Sequence, residues 1–326
     1  METASFTLSI IVPMYNEGKN ISLFYEKITK VLEHHDYNYE IICINDGSKD
    51  DTMERLRLLA NYDKRIKVID LSRNFGKEIA MSAGLKYSKS DIVIPIDADL
   101  QDPPEVIPLL IEKWEEGYDV VYATRLKRDG ETWFKKATAH TFYRVIGKMT
   151  RFDIPADTGD FRLMTRQVVE ALNLLPEQHR FMKGLFSWVG YNQTSVEYYR
   201  EPRYAGKSSF NYWKLWNFAI EGITSFSFAP LQFATYLGLL IAVLSLLYAT
   251  YLVIITATLG NPVPGYPSLM VAILFFGGVQ LITLGVIGEY IGRIYNESKR
   301  RPLFLVKEEL NIIDEEESVE LRMINK

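Results

Sequence analysis

The chain has 326 residues, enough for one large domain with an appendage or for two modest ones, and its 37 basic against 41 acidic residues leave a net charge of −4, which argues against global attraction to nucleic acid. Its one cysteine, Cys43, lies in the apolar run 40–44 and cannot close an internal disulfide, so a core thiol in a reducing compartment is expected. His34, His35, His140 and His179 show no zinc-ligand spacing, and residues 1–7 are too short and polar for a secretory signal.

The first part of the chain alternates short apolar runs with helical patterns. Residues 8–13, 40–45, 66–71, 92–97 and 120–123 read as strands buried on both faces, with 161–164 and 195–199 as later strands of a mixed sheet. Between them Ile21, Phe24, Ile28 and Val31 keep helical spacing, as do Met53, Leu56, Leu59 and Ala60. Nearly continuous hydrophobic strands separated by helices predict a Rossmann-like α/β domain, with a mainly parallel sheet covered on both sides. The first strand leads into Pro13-Met14-Tyr15-Asn16-Glu17 instead of a glycine fingerprint, which argues against a dehydrogenase.

The second strand ends in Asn45-Asp46-Gly47-Ser48. Asp46-Gly47 is also a hairpin-turn pair, but the helical pattern after Thr52 disfavours a hairpin. A carboxylate there can accept from ribose hydroxyls or a base N–H, and Tyr15 offers a ring face to a base. The fourth strand empties into Asp97-Ala98-Asp99-Leu100-Gln101-Asp102-Pro103-Pro104. Carboxylates one residue apart at a strand end, where open α/β sheets bind ligands, suit a divalent cation that keeps much of its octahedron for a diphosphate. Gln101 is a further oxygen donor. The competing reading is an acidic turn closed by Pro-Pro, and Asp102 reads as a helix-start signal rather than a third ligand.

Further along, Lys136, His140, Arg144 and Lys148 form a basic stripe on a surface helix over 132–150, beside Trp133 and Phe134. Such a stripe is either a solvated face or, next to a membrane anchor, a site for a lipid phosphate. Over 210–223, Asn211, Lys214, Asn217 and Glu221 make a narrow polar stripe against Trp213, Trp216 and Phe218, the pattern of an interfacial helix. From Gly222 to Gly288 there is no charged residue and no histidine. The segments 231–259 and 269–291 each exceed the ~20 residues a helix needs to cross a bilayer, and the break at 261–267 allows only a turn. Lys207, Lys214, Arg293, Lys299, Arg300 and Arg301 flank the spans and the turn has no basic residue. The positive-inside rule then predicts a multi-pass protein of the cell (inner) membrane with its globular part in the cytoplasm. Past Leu305 the acidic tail is expected to be a short mobile extension. The division this implies is 1–207, a surface helix at 208–229, a hairpin at 230–295 and a tail at 296–326.

Taken in order, these motifs together with Asn74-Phe75-Gly76-Lys77, Thr158-Gly159-Asp160-Phe161-Arg162-Leu163 and the hairpin end Gly288-Glu289-Tyr290-Ile291-Gly292-Arg293 resemble family 2 glycosyltransferases of the GT-A fold. The polyisoprenyl-phosphate group, that of dolichol-phosphate mannose synthase and bacterial undecaprenyl-phosphate (bactoprenol) glucosyltransferases, is the part of the family they most resemble, over about residues 8–305. The resemblance implies inverting transfer of one sugar, glucose from UDP-glucose, to a polyprenyl phosphate such as undecaprenyl phosphate, with Mg²⁺ or Mn²⁺. It implies that Pro13, Tyr15 and Glu17 meet the nucleoside and that Ile44 and Asp46 hold base and ribose. Asp97, Ala98 and Asp99 would face the diphosphate, with Asp99 and Gln101 the foremost metal ligands and Asp97 beside them. Arg125 would contact phosphate, and Lys207 would belong to a loop closing over it.

Asp157 and Asp160 are candidates around the reacting carbon, and catalytic weight is placed on Asp157 with Asp97 and Asp99; a helix or loop cap is the other role open to Asp157. A lipid phosphate with a second pKa near about 6 is already an anionic nucleophile, so a carboxylate here would orient substrate more than deprotonate it. Arg162 is placed to pair with one of these acids. The acceptor phosphate would fall to Arg128, Lys135, Lys136 and Thr138, where the chain departs from the arginine and serine of the family. Gly285, Gly288 and Gly292 permit close helix contact, within the hairpin or in a homo-oligomer. Two other readings are a processive polysaccharide synthase, for which Gln178-His179-Arg180-Phe181 has the wrong spacing, and a non-catalytic nucleotide-sugar-binding membrane adaptor.

Overall fold

The structure, a computed structural model, describes residues 6–126, 158–178, 180–199, 229–259 and 265–312. Eight strands form one sheet: β1 (Thr7–Met14), β2 (Asn38–Asn45), β3 (Ile66–Leu71), β4 (Ile92–Pro95), β5 (Val120–Arg125), β6 (Thr158–Thr165), β7 (Gln193–Tyr198) and β8 (Val306–Leu310). Their spatial order is β7-β5-β6-β4-β1-β2-β3-β8. β1 pairs parallel with β2 and β4, β2 with β3, and β5 with β7, while β6 and β8 run antiparallel to their neighbours. The mainly parallel mixed sheet expected of a GT-A domain is present.

Successive strand residues point to opposite faces, and here both faces are covered. Ile10, Val12, Ile41 and Cys43 join a core built with α1 (Ile21–His34), α2 (Thr52–Tyr62) and α4 (Ile107–Glu115). Ile11, Ile42 and Ile44 join a second core with α3 (Lys77–Tyr87), α5 (Arg166–Leu174) and α6 (Met182–Trp188). That is why the strands read as unbroken apolar runs instead of alternating ones. Cys43 lies in the first core, and burial pushes its thiol up to about 12, an unreactive state.

The order places β1 between β2 and β4, so successive connections diverge at this point. Ligands bind beyond the carboxyl ends of strands at such a topological switch. β4 is shorter than the expected 92–97: Pro95 has no N–H to continue the ladder, and after Ile96 donates to the Ile11 carbonyl at 2.9 Å the chain turns away. Asp97 therefore opens a turn that includes Leu100 at φ 59, a left-handed conformation uncommon for a leucine. The motif containing Asp160 also differs from expectation. It is the first half of β6, and because β6 runs antiparallel its beginning reaches the edge where β4 and β1 end.

The first part of the tail past Leu305 is a strand, not a mobile extension. Val306–Leu310 adds β8 along β3. Arg57 grips Glu308 with Nη2 at 2.5 Å and Nε at 3.2 Å, and Asn311 Nδ2 donates to the Ala60 and Ile66 carbonyls. Of the acidic residues that suggested a solvated tail, Glu308 pairs with Arg57 and Glu309 accepts from the Tyr87 hydroxyl.

Two long helices complete the described chain, α7 (Ala229–Leu259) and α8 (Tyr266–Ser298). Unlike the sheet strands, they leave large apolar side chains open, Phe233 at 68% and Leu281 at 71%. In α8 the stretch Val271–Ser298, with mean hydropathy 2.2, is long and apolar enough to cross a membrane, and the 31 residues of α7 include no charged side chain. An exposed apolar surface of this extent marks membrane association. The surface helices expected over 132–150 and 210–223 lie outside the described residues.

Candidate active site

The turns after β1 and β2 hold each other. Asn16, at φ 55, receives its position from Ser48 and Lys49: its N–H donates to Ser48 Oγ at 2.9 Å and its Oδ1 accepts from Lys49 N–H at 2.8 Å. Glu17 N–H donates to Thr52 Oγ1, and Glu17 Oε2 accepts from Asn20 Nδ2. Pro13 is partly exposed at the end of β1, and Tyr15 is 44% exposed. An open ring on a fixed turn can stack on a base.

Two residues expected at the nucleoside also have tasks in the fold itself. The side chain of Ile44 is fully enclosed in the core under α3, so only its main chain faces the strand ends. Asp46 is 3% exposed, and its two oxygens accept the Phe75 and Gly76 N–H groups at 2.7 and 2.9 Å. Burial raises its pKa in spite of those two donors. Asp46 thus fixes the loop that enters α3. Gly47 belongs to the same clasp: at φ +61, a Cβ there would come within 2.4 Å of the Arg73 carbonyl carbon, so only glycine allows the approach.

That loop delivers Lys77, a residue to which the sequence reading gave no role. Its Nζ lies 2.7 Å from Asp97 Oδ1 and 2.7 Å from Asp160 Oδ2, bridging the turn after β4 to the start of β6. Burial disfavours the ammonium charge, but Asp160 and then Asp97 override it and hold the lysine pKa well above its usual value. Asp160 shows the mirror effect: burial opposes ionisation, and Lys77 and Lys183 nevertheless keep it well below the usual carboxylate range. Beside them Glu78 accepts from Met182 N–H at 3.3 Å, and burial, with Asp160 next, pushes its carboxyl up to about 8. Arg162 makes no ion pair among the described residues. Its Nη2 donates to the Gly159 carbonyl at 2.9 Å and its guanidinium lies 3.9 Å over Phe186, while burial lowers its pKa to about 10.

Asp99 is buried at 9%, and its Oδ1 accepts from Gln101 N–H at 3.1 Å; Ala98 beside it is also buried. Among the described residues no three His, Cys, Asp or Glu side chains gather into a ready metal site. Asp97, Asp99 and Gln101 are instead a partial set of hard oxygen donors on one turn. This fits Mg²⁺ or Mn²⁺ arriving with diphosphate oxygens, the mode in which one or two carboxylates suffice. On the other flank Arg125, at the end of β5, sits 3.8 Å from Asp102 and donates from Nε to the Tyr198 hydroxyl at 3.2 Å. Asp102 is 2% exposed and faces this pair, so its helix-start position also serves the site.

The structure thus brings Asp97, Asp99, Gln101, Arg125 and Asp160 to one edge of the sheet with Pro13, Tyr15 and Glu17. Asp157, Arg128, Lys135, Lys136, Thr138 and Lys207 lie outside the described residues. Lys77 was legible only as the basic residue opening a helix after Asn74-Phe75-Gly76. Tyr198 gave no signal, being one aromatic among many on strands.

The sequence matches the description Glycosyl transferase family 2 over residues 9–172 and the GtrB C-terminal hairpin over residues 229–294. It is 60% identical over 301 residues to an uncharacterised glycosyltransferase of Synechocystis sp., covering 92% of this chain and 95% of that one. To the bactoprenol glucosyl transferase of Shigella phage SfV it is 53% identical over 302 residues, 93% of this chain and 98% of the relative. An uncharacterised glycosyltransferase of Bacillus subtilis is 48% identical over 304 residues, with 93% and 94% covered.

Proposed function

The chain belongs to glycosyl transferase family 2 and is a glycosyltransferase, and on that premise we propose that it transfers a single glucose from UDP-glucose to a polyprenyl phosphate of the undecaprenyl type. The observation that carries this reading is the 53% identity with a bactoprenol glucosyl transferase across both the catalytic domain and the hairpin. The reaction takes place at the cytoplasmic face of the cell membrane, with α7 and α8 as two spans and the sheet on the cytoplasmic side. A polyprenyl tail stays in the bilayer, so an enzyme anchored there meets its acceptor by diffusion in two dimensions.

Tyr15 stacks on the base, with Pro13 and Glu17 beside it. Asp97, Asp99 and Gln101 would hold a divalent cation, and that cation, when bound, supplies positive charge against the diphosphate. Arg125 adds a guanidinium fork to the same phosphates. The acceptor phosphate, already anionic, attacks the anomeric carbon from the side opposite UDP. The new C–O bond forms as the bond to the diphosphate breaks, and the configuration inverts. Asp157 and Asp160 orient sugar and acceptor, and Arg128, Lys135, Lys136 and Thr138 receive the lipid phosphate.

Membranes containing the protein, given radiolabelled UDP-glucose, should yield a chloroform-soluble lipid carrying one hexose by mass spectrometry. Asp99→Ala should abolish that product. A growing polysaccharide, or near-normal turnover by the variant, would overturn the assignment.

A further inference from the structure

Asp102 and Tyr198 are among the most enclosed polar groups near the site, at 2% and 4% exposure, and nothing in the transfer chemistry uses either. They come from distant parts of the chain. Asp102 closes the acidic turn, and Tyr198 ends β7, where strand pairing sets it opposite Arg125. The tyrosine hydroxyl donates to Asp102 Oδ1 and accepts the Arg125 Nε–H at 3.2 Å. Its ring is held edge-on by Phe161 at 6.1 Å. On the far side of the guanidinium the chain is Gly159, where a Cβ would press to 3.0 Å from Arg125 Nη2.

The choice of atoms matters. A guanidinium presents five N–H groups in a rigid plane. A carboxylate bound directly to the Nη edge would occupy the fork that recognises phosphate. Here the carboxylate stands back at 3.8 Å, and a neutral hydroxyl between the two takes only the Nε–H. Among the described residues the Nε–H is the one guanidinium donor engaged in a hydrogen bond, and Asp102 Oδ1 stays beyond hydrogen-bond reach of Nη2, so the plane of the arginine is fixed without its Nη groups being bonded there. Burial, with Asp102 next, raises the tyrosine pKa, so the hydroxyl keeps its proton and its direction of donation.

We propose that Tyr198, pinned by Asp102, is a positioning residue that aims Arg125 at the diphosphate of the sugar nucleotide. This rests on the reading of Arg125 as a phosphate contact. The acidic turn therefore contributes at both ends: Asp97 and Asp99 face the cation, and Asp102 sets the angle of the opposing arginine.

The test is UDP binding by calorimetry, with Mg²⁺ present, on the full-length protein in detergent. Tyr198→Phe keeps the ring and its packing on Phe161, and should weaken UDP about tenfold, about 1.4 kcal/mol, with the donor KM rising more than kcat falls. Arg125→Gln should weaken UDP at least as much. The double variant should be no weaker than Arg125→Gln alone, because the tyrosine acts only through the arginine. Asp102→Ala removes the anchor from the other side and should reproduce the Tyr198→Phe loss, which keeps the question open to decision if the tyrosine variant folds poorly. Normal UDP affinity in Tyr198→Phe or Asp102→Ala alongside a weak Arg125→Gln would overturn the positioning role and leave the phosphate reading standing. Additive losses would do the same. Normal affinity in Arg125→Gln would remove the phosphate reading and this inference with it.

Discussion

Asp46→Asn separates two roles for one carboxylate. If Asp46 is a nucleoside ligand, as the resemblance implies, its replacement costs donor affinity and leaves the unliganded protein alone. The structure gives it another task. Both oxygens are taken by the Phe75 and Gly76 N–H groups at 2.7 and 2.9 Å, in a pocket where the residue is 3% exposed. Asparagine can accept one of those bonds and must turn an NH₂ group toward the other N–H. A hydrogen bond to a charged acceptor contributes about 1.5–3 kcal/mol, and a buried donor left unpaired costs about 1–3 kcal/mol. Burial already raises the Asp46 pKa, so losing the charge offsets part of this, and a net loss of about 2 kcal/mol follows. For a domain of this size that is a fall in Tm of about 4–8 °C. Thermal unfolding of the purified protein without nucleotide measures it directly. The loop freed by the substitution leads to Lys77, so transfer activity should drop as well. An unliganded Tm equal to wild type, with only UDP-induced stabilisation lost, would refute the structural role.

Lys77→Met removes the cation shared by Asp97 and Asp160. Breaking a buried pair from one side costs about 3–5 kcal/mol; Lys77 is 44% exposed and Asp160 13%, so water shares the load and about 2 kcal/mol is expected. Because the Asp160 pKa is depressed in the fold, this stabilisation is present above the ordinary aspartate range and fades as pH falls below it. A variant with wild-type Tm at neutral pH would show the bridge to be idle. Glu78 has the opposite sign. Its folded pKa of about 8 lies above the ordinary 4.5, so its contribution is complete below that ordinary value and is lost as pH rises through about 8. Glu78→Gln, facing the same Asp160, Lys77 and Lys183, should flatten that decline, and parallel stability profiles for the two proteins would contradict the assignment.

The strands and their parallel pairing were legible because burial on both faces writes unbroken apolar runs, as in Ile41-Ile42-Cys43-Ile44. The positions of Asp97 and Asp99 at a strand end were legible for the same reason. β8 was not. Val306–Leu310 carries three charges in five residues, and its pairing depends on Arg57 and Asn311, one on a helix and the other just past the strand. The direction of β6 was also hidden, since an antiparallel insertion has the same composition as a parallel strand. Asp46 illustrates a subtler limit. Its position at the site was evident, but whether a carboxylate there faces ligand or backbone depends on the loop 73–76, whose path has no periodic signal.

The strand that the sequence pattern hid, β8, explains how the hairpin and the site are joined. The chain leaves the sheet from β7, passes through α7 and α8, and returns as β8 on the opposite edge. On the way back Glu297 and the Arg301 carbonyl accept from Gln178 at 2.8 and 2.7 Å, tying the end of α8 to the connection between α5 and α6. Leu305 then accepts the Ser72 N–H at 2.9 Å. Ser72 opens the loop whose far end Asp46 holds at Phe75 and Gly76, and the next residue is Lys77. The loop that places the bridging ammonium is therefore fastened by the second strand of the sheet at one end and by the returning chain at the other. Fastening the site loop to the segment that follows α8 ties the site to that apolar helix through hydrogen bonds.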